Sequence, residues 1–148
     1  GIPKPSYRAF QLLSLLKGER LEVEVKEESQ TVDCTASIDE EGITLLLSNH
    51  QIPKSPIDAE NVTISINGIK GVKSAVLQRI DETHANPKRV WLEMGAPMYL
   101  KKEQVQELIK ASELTAETLD FSVDENGVNT EVHIKPHSVI AIRLIPEK

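Results

Sequence analysis

Adjacent pairs of acidic residues are the side chains of this 148-residue chain best suited to acid–base chemistry. Two carboxylates that act on one bond must reach the same cleft, whereas neighbours along a strand point to opposite faces of the sheet. Adjacent residues therefore cannot flank one bond, and we interpret them as solvated charge. No residue of the chain is assigned a catalytic role. The pairs are Glu27-Glu28, Glu40-Glu41 and Asp81-Glu82.

A metal ion is the next chemistry to consider. Asp81 and His84 lie three residues apart where a predicted strand ends, but a zinc site needs further ligands and no third one is evident. We interpret the segment as a turn in which Asp81 and Asn86 bind free backbone N–H groups, and His84 bonds to a carbonyl or a carboxylate. In the functional alternative, this turn orders a domain interface. No metal or cofactor is expected, because the other histidines are scattered, at His50, His133 and His137.

The charge balance and the single cysteine limit the classes of partner. The chain has 23 acidic and 17 basic residues, a net charge of −6, which argues against nucleic acid because binding to phosphates requires a basic patch. Cys34 cannot form an internal disulfide and is expected to be a buried structural thiol. No apolar run approaches the roughly 20 residues of a membrane span, and no signal peptide is expected because residues 1–5 have no apolar segment. No membrane partner is expected, and the compartment is not predicted.

The first helix is predicted to run from a Ser6 cap to about residue 17, with Gly18 as its end. Its apolar residues cover more than one side, whereas a surface helix normally has one apolar stripe. We therefore expect the helix to need cover on more than one side, from the rest of the chain or from a second copy of it. The apolar positions are Tyr7, Phe10, Leu12, Leu13, Leu15 and Leu16.

Alternation of apolar and polar residues predicts about eight short strands. Residues 43–47 are almost all apolar and predict a central strand, and hairpin turns are expected at residues 39–42 and 124–127. The strands before residue 81 are predicted to form a meander. The predicted strands cover residues 21–25, 32–38, 43–47, 62–66, 73–81, 121–123, 128–134 and 139–145.

Two helices are predicted within residues 86–112. Asn86 is expected to cap the first helix, Pro87 to begin it and Gly95 to end it. The second helix is predicted at residues 102–112. Together the elements predict a mainly β protein, a two-sheet antiparallel β-sandwich of about eight strands with an N-terminal helix and a two-helix insertion.

Three motifs, taken in order, resemble the C-terminal region of family 39 glycoside hydrolases, the β-xylosidase and α-L-iduronidase group. Ile80-Asp81-x-x-His84-x-Asn86 followed by Trp91-x-x-Met94-Gly95-x-Pro97 is similar to a segment of that region. Lys4-Pro5-Ser6-Tyr7-Arg8-Ala9-Phe10-Gln11-Leu12-Leu13 is similar to the last barrel helix of these enzymes, and Pro136-His137-Ser138-Val139 to their closing strand. The resemblance spans most of the chain, although residues 19–74 match only in pattern.

The resemblance implies that both catalytic glutamates lie in a (β/α)8 barrel upstream of Gly1. Residues 1–18 would then be the last barrel helix with a linker, and residues 19–148 a non-catalytic accessory β-sandwich of a β-xylosidase-like enzyme with its helical insertion at 86–112. The missing barrel is the expected partner, and a homo-oligomer through the first helix is a further possibility. The candidate domain-interface residues are Tyr7, Phe10, Leu13, Asp81, His84, Asn86 and Trp91.

Two other functions remain open from the sequence. A free carbohydrate-binding module would need exposed rings for stacking, but the predicted strands are nearly free of rings, and Trp91 is expected to pack against the sheet beside Val90 and Met94. An unrelated interaction domain would assemble through the first helix. The available rings are Tyr7, Phe10, Trp91, Tyr99 and Phe121.

Overall fold

The computed structural model describes residues 1–147, which contain nine strands and three helices. Within these residues, every helix is too short or too polar to cross a membrane. The helices are α1 (Pro5–Leu13), α2 (Pro87–Glu93) and α3 (Lys102–Ala111). The strands are β1 (Glu19–Leu21), β2 (Val32–Ile38), β3 (Ile43–Asn49), β4 (Glu60–Asn67), β5 (Val72–Ile80), β6 (Glu117–Thr118), β7 (Ser122–Val123), β8 (Gly127–Ile134) and β9 (Ser138–Pro146).

The strands form two antiparallel sheets that pack face to face. The larger sheet has the order β1-β2-β3-β9-β5-β6, and the smaller has the order β4-β8-β7. Every neighbouring pair is antiparallel. The predicted two-sheet antiparallel β-sandwich, with its N-terminal helix and its two helices between β5 and β6, is confirmed.

The core between the sheets is built from alternate residues of the long strands. Leu45 and Leu47 of β3 lie beside Ile142 and Ile140 of β9, and all four are buried. They meet side chains of the smaller sheet that are equally buried, including those of β8. The nearly continuous apolar run of β3 is thereby explained, because the strand has neighbours on both edges and apolar cover on both faces. The buried β8 residues are Val128, Val132 and Ile134.

The predicted meander is wrong. After β4, the chain crosses to the larger sheet, where β5 pairs with β9 and β6 and not with β4. The alternation in each strand reports which side chains are buried, but it carries no information on which strand lies alongside. The alternation therefore predicts one sheet for β3, β4 and β5, although β4 lies in the smaller sheet.

The predicted bounds of the first helix and the first strand also differ from the structure. The helix begins at Pro5, with Lys4 in the N-cap position, and ends at Leu13. Gly18 has a φ of +77° and does not end the helix; a Cβ there would lie 2.1 Å from the carbonyl oxygen of Ile38. This close approach sets the start of β1, which pairs with β2 only as far as Leu21.

The first helix lies on the outer face of the larger sheet. Leu12 is fully buried there in a second apolar cluster with Ile80, Ala85 and Ala141. These partners come from β5, the turn that follows it, and β9. Because β9 is central, the helix is seated over the middle of the sheet.

The helical pair α2 and α3 packs chiefly on itself. Pro87 occupies the first turn of α2 as predicted, and Gly95 has a φ of +85°, the left-handed conformation that closes a helix. The indole N–H of Trp91 donates to the carbonyl of Pro97 at 3.1 Å. Trp91 belongs to neither apolar cluster of the sheets, so the expectation that it packs against the sheet is wrong.

Candidate functional site

Helix α1 presents apolar side chains on two opposite sides. Leu12 faces the sheet and is 0% exposed, whereas Tyr7, Phe10 and Leu13 are 53%, 71% and 49% exposed. At about 100° per residue, Phe10 and Tyr7 lie on the side of the helix opposite Leu12. We call Tyr7, Phe10 and Leu13 the outer stripe. Within residues 1–147, the structure thus buries the helix on one side and leaves about half or more of each side chain of the outer stripe exposed.

Arg8 holds α1 in a fixed orientation. Its Nε donates to the carbonyl of Ser112 at 2.6 Å, and its Nη2 donates to the Ser112 hydroxyl at 3.2 Å. A third bond, from Nη1 to Gln11 Oε1 at 2.7 Å, stays within the helix. Ser112 follows the last turn of α3, where free carbonyl groups favour a cation. Arg8 therefore links α1 to the helical pair.

The turn after β5 is organised by one carboxylate oxygen. Asp81 Oδ1 accepts the backbone N–H groups of Thr83 and His84 at 2.8 and 2.9 Å. It also accepts the Thr83 hydroxyl at 3.0 Å and bonds to His84 Nδ1 at 2.8 Å. The backbone N–H of Asp81 donates to the His84 carbonyl at 3.1 Å. The predicted roles of Asp81 and His84 in the turn are confirmed.

Burial and hydrogen bonding act in opposite directions on Asp81. The residue is 6% exposed, and burial alone would raise its pKa. The hydrogen bonds from His84 and Thr83 outweigh burial, so the pKa of Asp81 lies below its ordinary value. The turn therefore contains an ionised carboxylate at neutral pH, held by donors from the two residues after Glu82.

Asn86 has a different role from the one predicted. Its side chain does not cap α2; its Nδ2 donates to the carbonyl of Glu82 at 3.1 Å. The amide thus satisfies an acceptor of the turn, while the first N–H groups of α2 receive no side-chain bond from it. Asn86 belongs to the same local structure as Asp81 and His84, but as a donor.

The candidate residues fall into two groups in the structure. Leu12 joins α1 to the turn, because it packs with Ala85 and Ile80, whereas Tyr7 and Phe10 of the outer stripe lie on the side of the helix that faces away from this contact. Trp91 lies apart from them within the helical pair. Sequence reasoning missed Arg8 and Ser112, because nothing in the local pattern indicates a bond between residues 104 positions apart.

Clusters of possible metal ligands and surface grooves bear on the metal and sugar chemistry considered from the sequence. Within residues 1–147, no three His, Cys, Asp or Glu side chains come close enough to share a metal ion. An open groove of about 340 Å³ beside α1 has no aromatic ring in its lining, which includes Arg8, Gln11 and Gln78. Cys34 is half-buried at the margin of the core, where burial raises the pKa of its thiol.

Comparisons with known proteins agree with the fold and add a family. Residues 1–130 match the model of glycosyl hydrolases family 39. A beta-xylosidase of Caldicellulosiruptor saccharolyticus is 51% identical over 145 residues, which are 97% of this chain and 30% of that protein.

Solved structures extend the comparison to the whole of the described fold. A monomeric beta-xylosidase from Caulobacter crescentus CB15 superposes with a TM-score of 0.77 at 20% identity, over 100% of this chain and 32% of that one. The GH39 enzyme from Xanthomonas axonopodis pv. citri gives 0.67 at 18% identity, over 99% and 31%. The chain spans about a third of the length of these relatives.

Proposed function

This chain belongs to glycosyl hydrolase family 39, and from that premise we propose that it is the C-terminal accessory β-sandwich of a β-xylosidase-like enzyme that degrades xylan. The catalytic barrel, with its two glutamates, is the part of the parent polypeptide that the chain does not include. The role of the sandwich is to brace that barrel. The proposal is supported by the share of the relative that is matched, 30%, and by the structural use of the buried Asp81 carboxylate.

The observation that carries the bracing role is the two-sided helix α1. Leu12 and Arg8 hold one side against the sandwich, so the outer stripe is presented on a rigid support. Three large apolar side chains on one short helix expose an apolar surface to water, which is unfavourable. Burying one of them at an interface stabilises the complex by about 1.5–3 kcal/mol. We propose that the barrel covers the outer stripe; contact between subunits through the same stripe stays a prediction.

Replacing Phe10 by serine tests the bracing role in the parent enzyme. We expect the temperature at which xylosidase activity is lost to fall by about 2 °C, because about 2 kcal/mol of apolar burial disappears from a protein roughly three times as long as this chain. The melting temperature of the isolated chain should stay unchanged, since Phe10 is exposed there. Ile52→Ser, at an equally exposed loop position, is the matched control. Equal effects of the two substitutions in the parent would contradict the proposal.

The non-catalytic role is tested on the isolated chain with an aryl β-xyloside and xylo-oligosaccharides. We expect no hydrolysis, and no saturable change in Trp91 fluorescence, because the indole N–H is already bonded to Pro97. Turnover that follows this polypeptide through purification would refute the accessory role. A saturable fluorescence change, together with loss of xylo-oligosaccharide binding in Trp91→Ala measured by calorimetry, would instead establish a carbohydrate-binding module.

A further inference from the structure

Strand β4 is the exception among the four sheet edges. The edge strands β1, β6 and β7 have only three, two and two residues, and short edges leave little backbone open for pairing. Strand β4 has eight residues and pairs on one side only, with β8. It therefore presents a long row of backbone groups at the edge of the smaller sheet.

The hydrogen-bond pattern shows which of these groups point outward. The N–H of Gly68 donates to the Asn126 carbonyl at 3.0 Å, which makes Gly68 and Asn126 a hydrogen-bonded pair. Bonded and non-bonded pairs alternate along an antiparallel ladder, so Ile64 bonds to β8. The N–H and C=O groups of Asn61, Thr63 and Ser65 then face away from β8, and none of them has a backbone partner within residues 1–147.

Nothing in β4 discourages a further strand from pairing there. Natural edge strands are commonly protected by lysine, proline or a bulge. Strand β4 has neither lysine nor proline, its one charged residue is Glu60 at its first position, and its register with β8 is unbroken. The edge is regular over its whole length.

The core beneath this edge is also incomplete. The hydroxyls of Ser29 and Thr31, which precede β2, bond to Glu60 Oε1, so β4 lies on the β2 side of the sandwich. Three strands cannot cover six. On this side Ile64 and Ala36 are buried but five other apolar residues are only half-buried, whereas the apolar residues of β8 are almost completely buried. The half-buried residues are Leu21, Val32, Cys34, Val62 and Ile66.

We propose that β4 is the docking site for one added strand, an extended segment of the parent polypeptide from outside this chain. This inference rests on the proposed function, which gives the chain a longer parent. The segment pairs with the outward groups of Asn61, Thr63 and Ser65 and covers the half-buried side chains below. The expected sequence of the added segment follows from the alternation of side chains along a strand. Residues opposite Val62 and Ile64 should be apolar, and the residues between them should be polar.

The geometry disfavours a second copy of the chain as the occupant. The larger sheet has six strands and the smaller three, and the segment just before β2 bonds to Glu60 of β4, so a second sandwich brought alongside β4 would have to clear both that segment and the larger sheet. A single strand without a sheet beneath it meets no such obstacle. The matched residues are only 30% of the relative, and a parent of similar length would have ample polypeptide to supply the strand.

Amide hydrogen exchange, compared between the isolated chain and the parent enzyme, tests this site. The amides of Thr63 and Ser65 should exchange freely in the isolated chain and at least about 100-fold more slowly in the parent. The amide of Ile64, which bonds to β8, should be protected in both. Free exchange at Thr63 in the parent would overturn the proposal. So would protection in the isolated chain, which would assign the edge to residues 22–26 of the chain itself or, if it depends on concentration, to a second copy.

A matched pair of substitutions at Thr63 separates edge pairing from folding. Thr63→Pro removes an outward N–H that β8 does not use, and Thr63→Ala keeps it. Both variants should fold alike as isolated chains. In the parent, Thr63→Pro should abolish the protection of Ser65, and Thr63→Ala should preserve it; equal protection in both would refute the pairing. A failure of the Phe10→Ser experiment leaves this result unaffected, because exchange at β4 is read without reference to xylosidase activity.

Discussion

Replacing Leu12 by alanine is expected to lower the free energy of unfolding of the isolated chain by about 3 kcal/mol. Leu12 is fully buried between α1 and the outer face of the larger sheet. Truncation removes its contacts with Ile80, Ala85 and Ala141 and leaves a cavity that a β-sheet surface cannot close. Urea unfolding measures the loss.

Leu13→Ala is the matched control, because the two leucines are neighbours in one helix and Leu13 is 49% exposed. Its cost should stay within about 0.5 kcal/mol. If the two substitutions had equal effects, α1 would not be docked on the sheet in solution. A larger loss of unfolding free energy in Leu12→Ala than in Leu13→Ala would show that α1 contributes to the stability of the sandwich, whichever domain it completes in the parent.

Replacing Asp81 by alanine is expected to destabilise the isolated chain by about 3 kcal/mol at pH 7, since two backbone N–H groups of the turn lose their hydrogen bonds to an ionised acceptor. The N–H groups of Thr83 and His84 would lie in the turn without a partner. Glu82→Ala is the control, because that side chain is exposed and should cost no more than about 0.5 kcal/mol. Similar losses for both variants would show that the carboxylate does not organise the turn.

The same carboxylate makes stability depend on pH. Its pKa is lower in the folded than in the unfolded chain, so the unfolded state binds the proton more readily. The stabilisation is complete above the ordinary aspartate pKa of about 4 and is lost as the pH falls through the folded value. Unfolding midpoints measured from pH 7 to pH 2 should therefore fall less steeply in Asp81→Asn than in the original chain. Parallel acid limbs would contradict this assignment.

The central strands of the fold could be predicted because a strand that is buried on both faces has an almost continuous run of apolar residues. Residues 43–47 are apolar except for Thr44, and β3 indeed lies between β2 and β9. Alternation at residues 21–25 was less informative. The strand β1 ends at Leu21, while Val23 and Val25 are exposed, because pairing depends on a neighbour that the pattern does not identify. For the same reason, the crossing of the chain between β4 and β5 could not be predicted.

In the candidate site, too, bonds between residues close in sequence could be predicted and bonds between distant residues could not. The bonds from Asp81 to Thr83 and His84 span three residues or fewer, so residue types and spacing were enough to predict them. The bond from Arg8 to Ser112 depends on how α1 and α3 meet after folding. Asn86 shows a third case: its position fits a helix cap, yet the nearby carbonyl of Glu82 takes its amide instead. The spacing of residues in the sequence identifies Asn86 as a hydrogen-bonding residue but does not identify the group to which it bonds.

The seat of α1 over β5 and β9 determines how the sandwich would respond to mechanical tension. A force transmitted through α1 reaches β9, which is hydrogen-bonded along both edges, to β3 and to β5. Such a strand must slide against both neighbours at once, so its bonds share the load instead of opening one after another. The Arg8 link carries part of the same force into the helical pair. Thermal movements of an attached domain would thus be resisted by a strand paired along both edges, and not by the short outer strands.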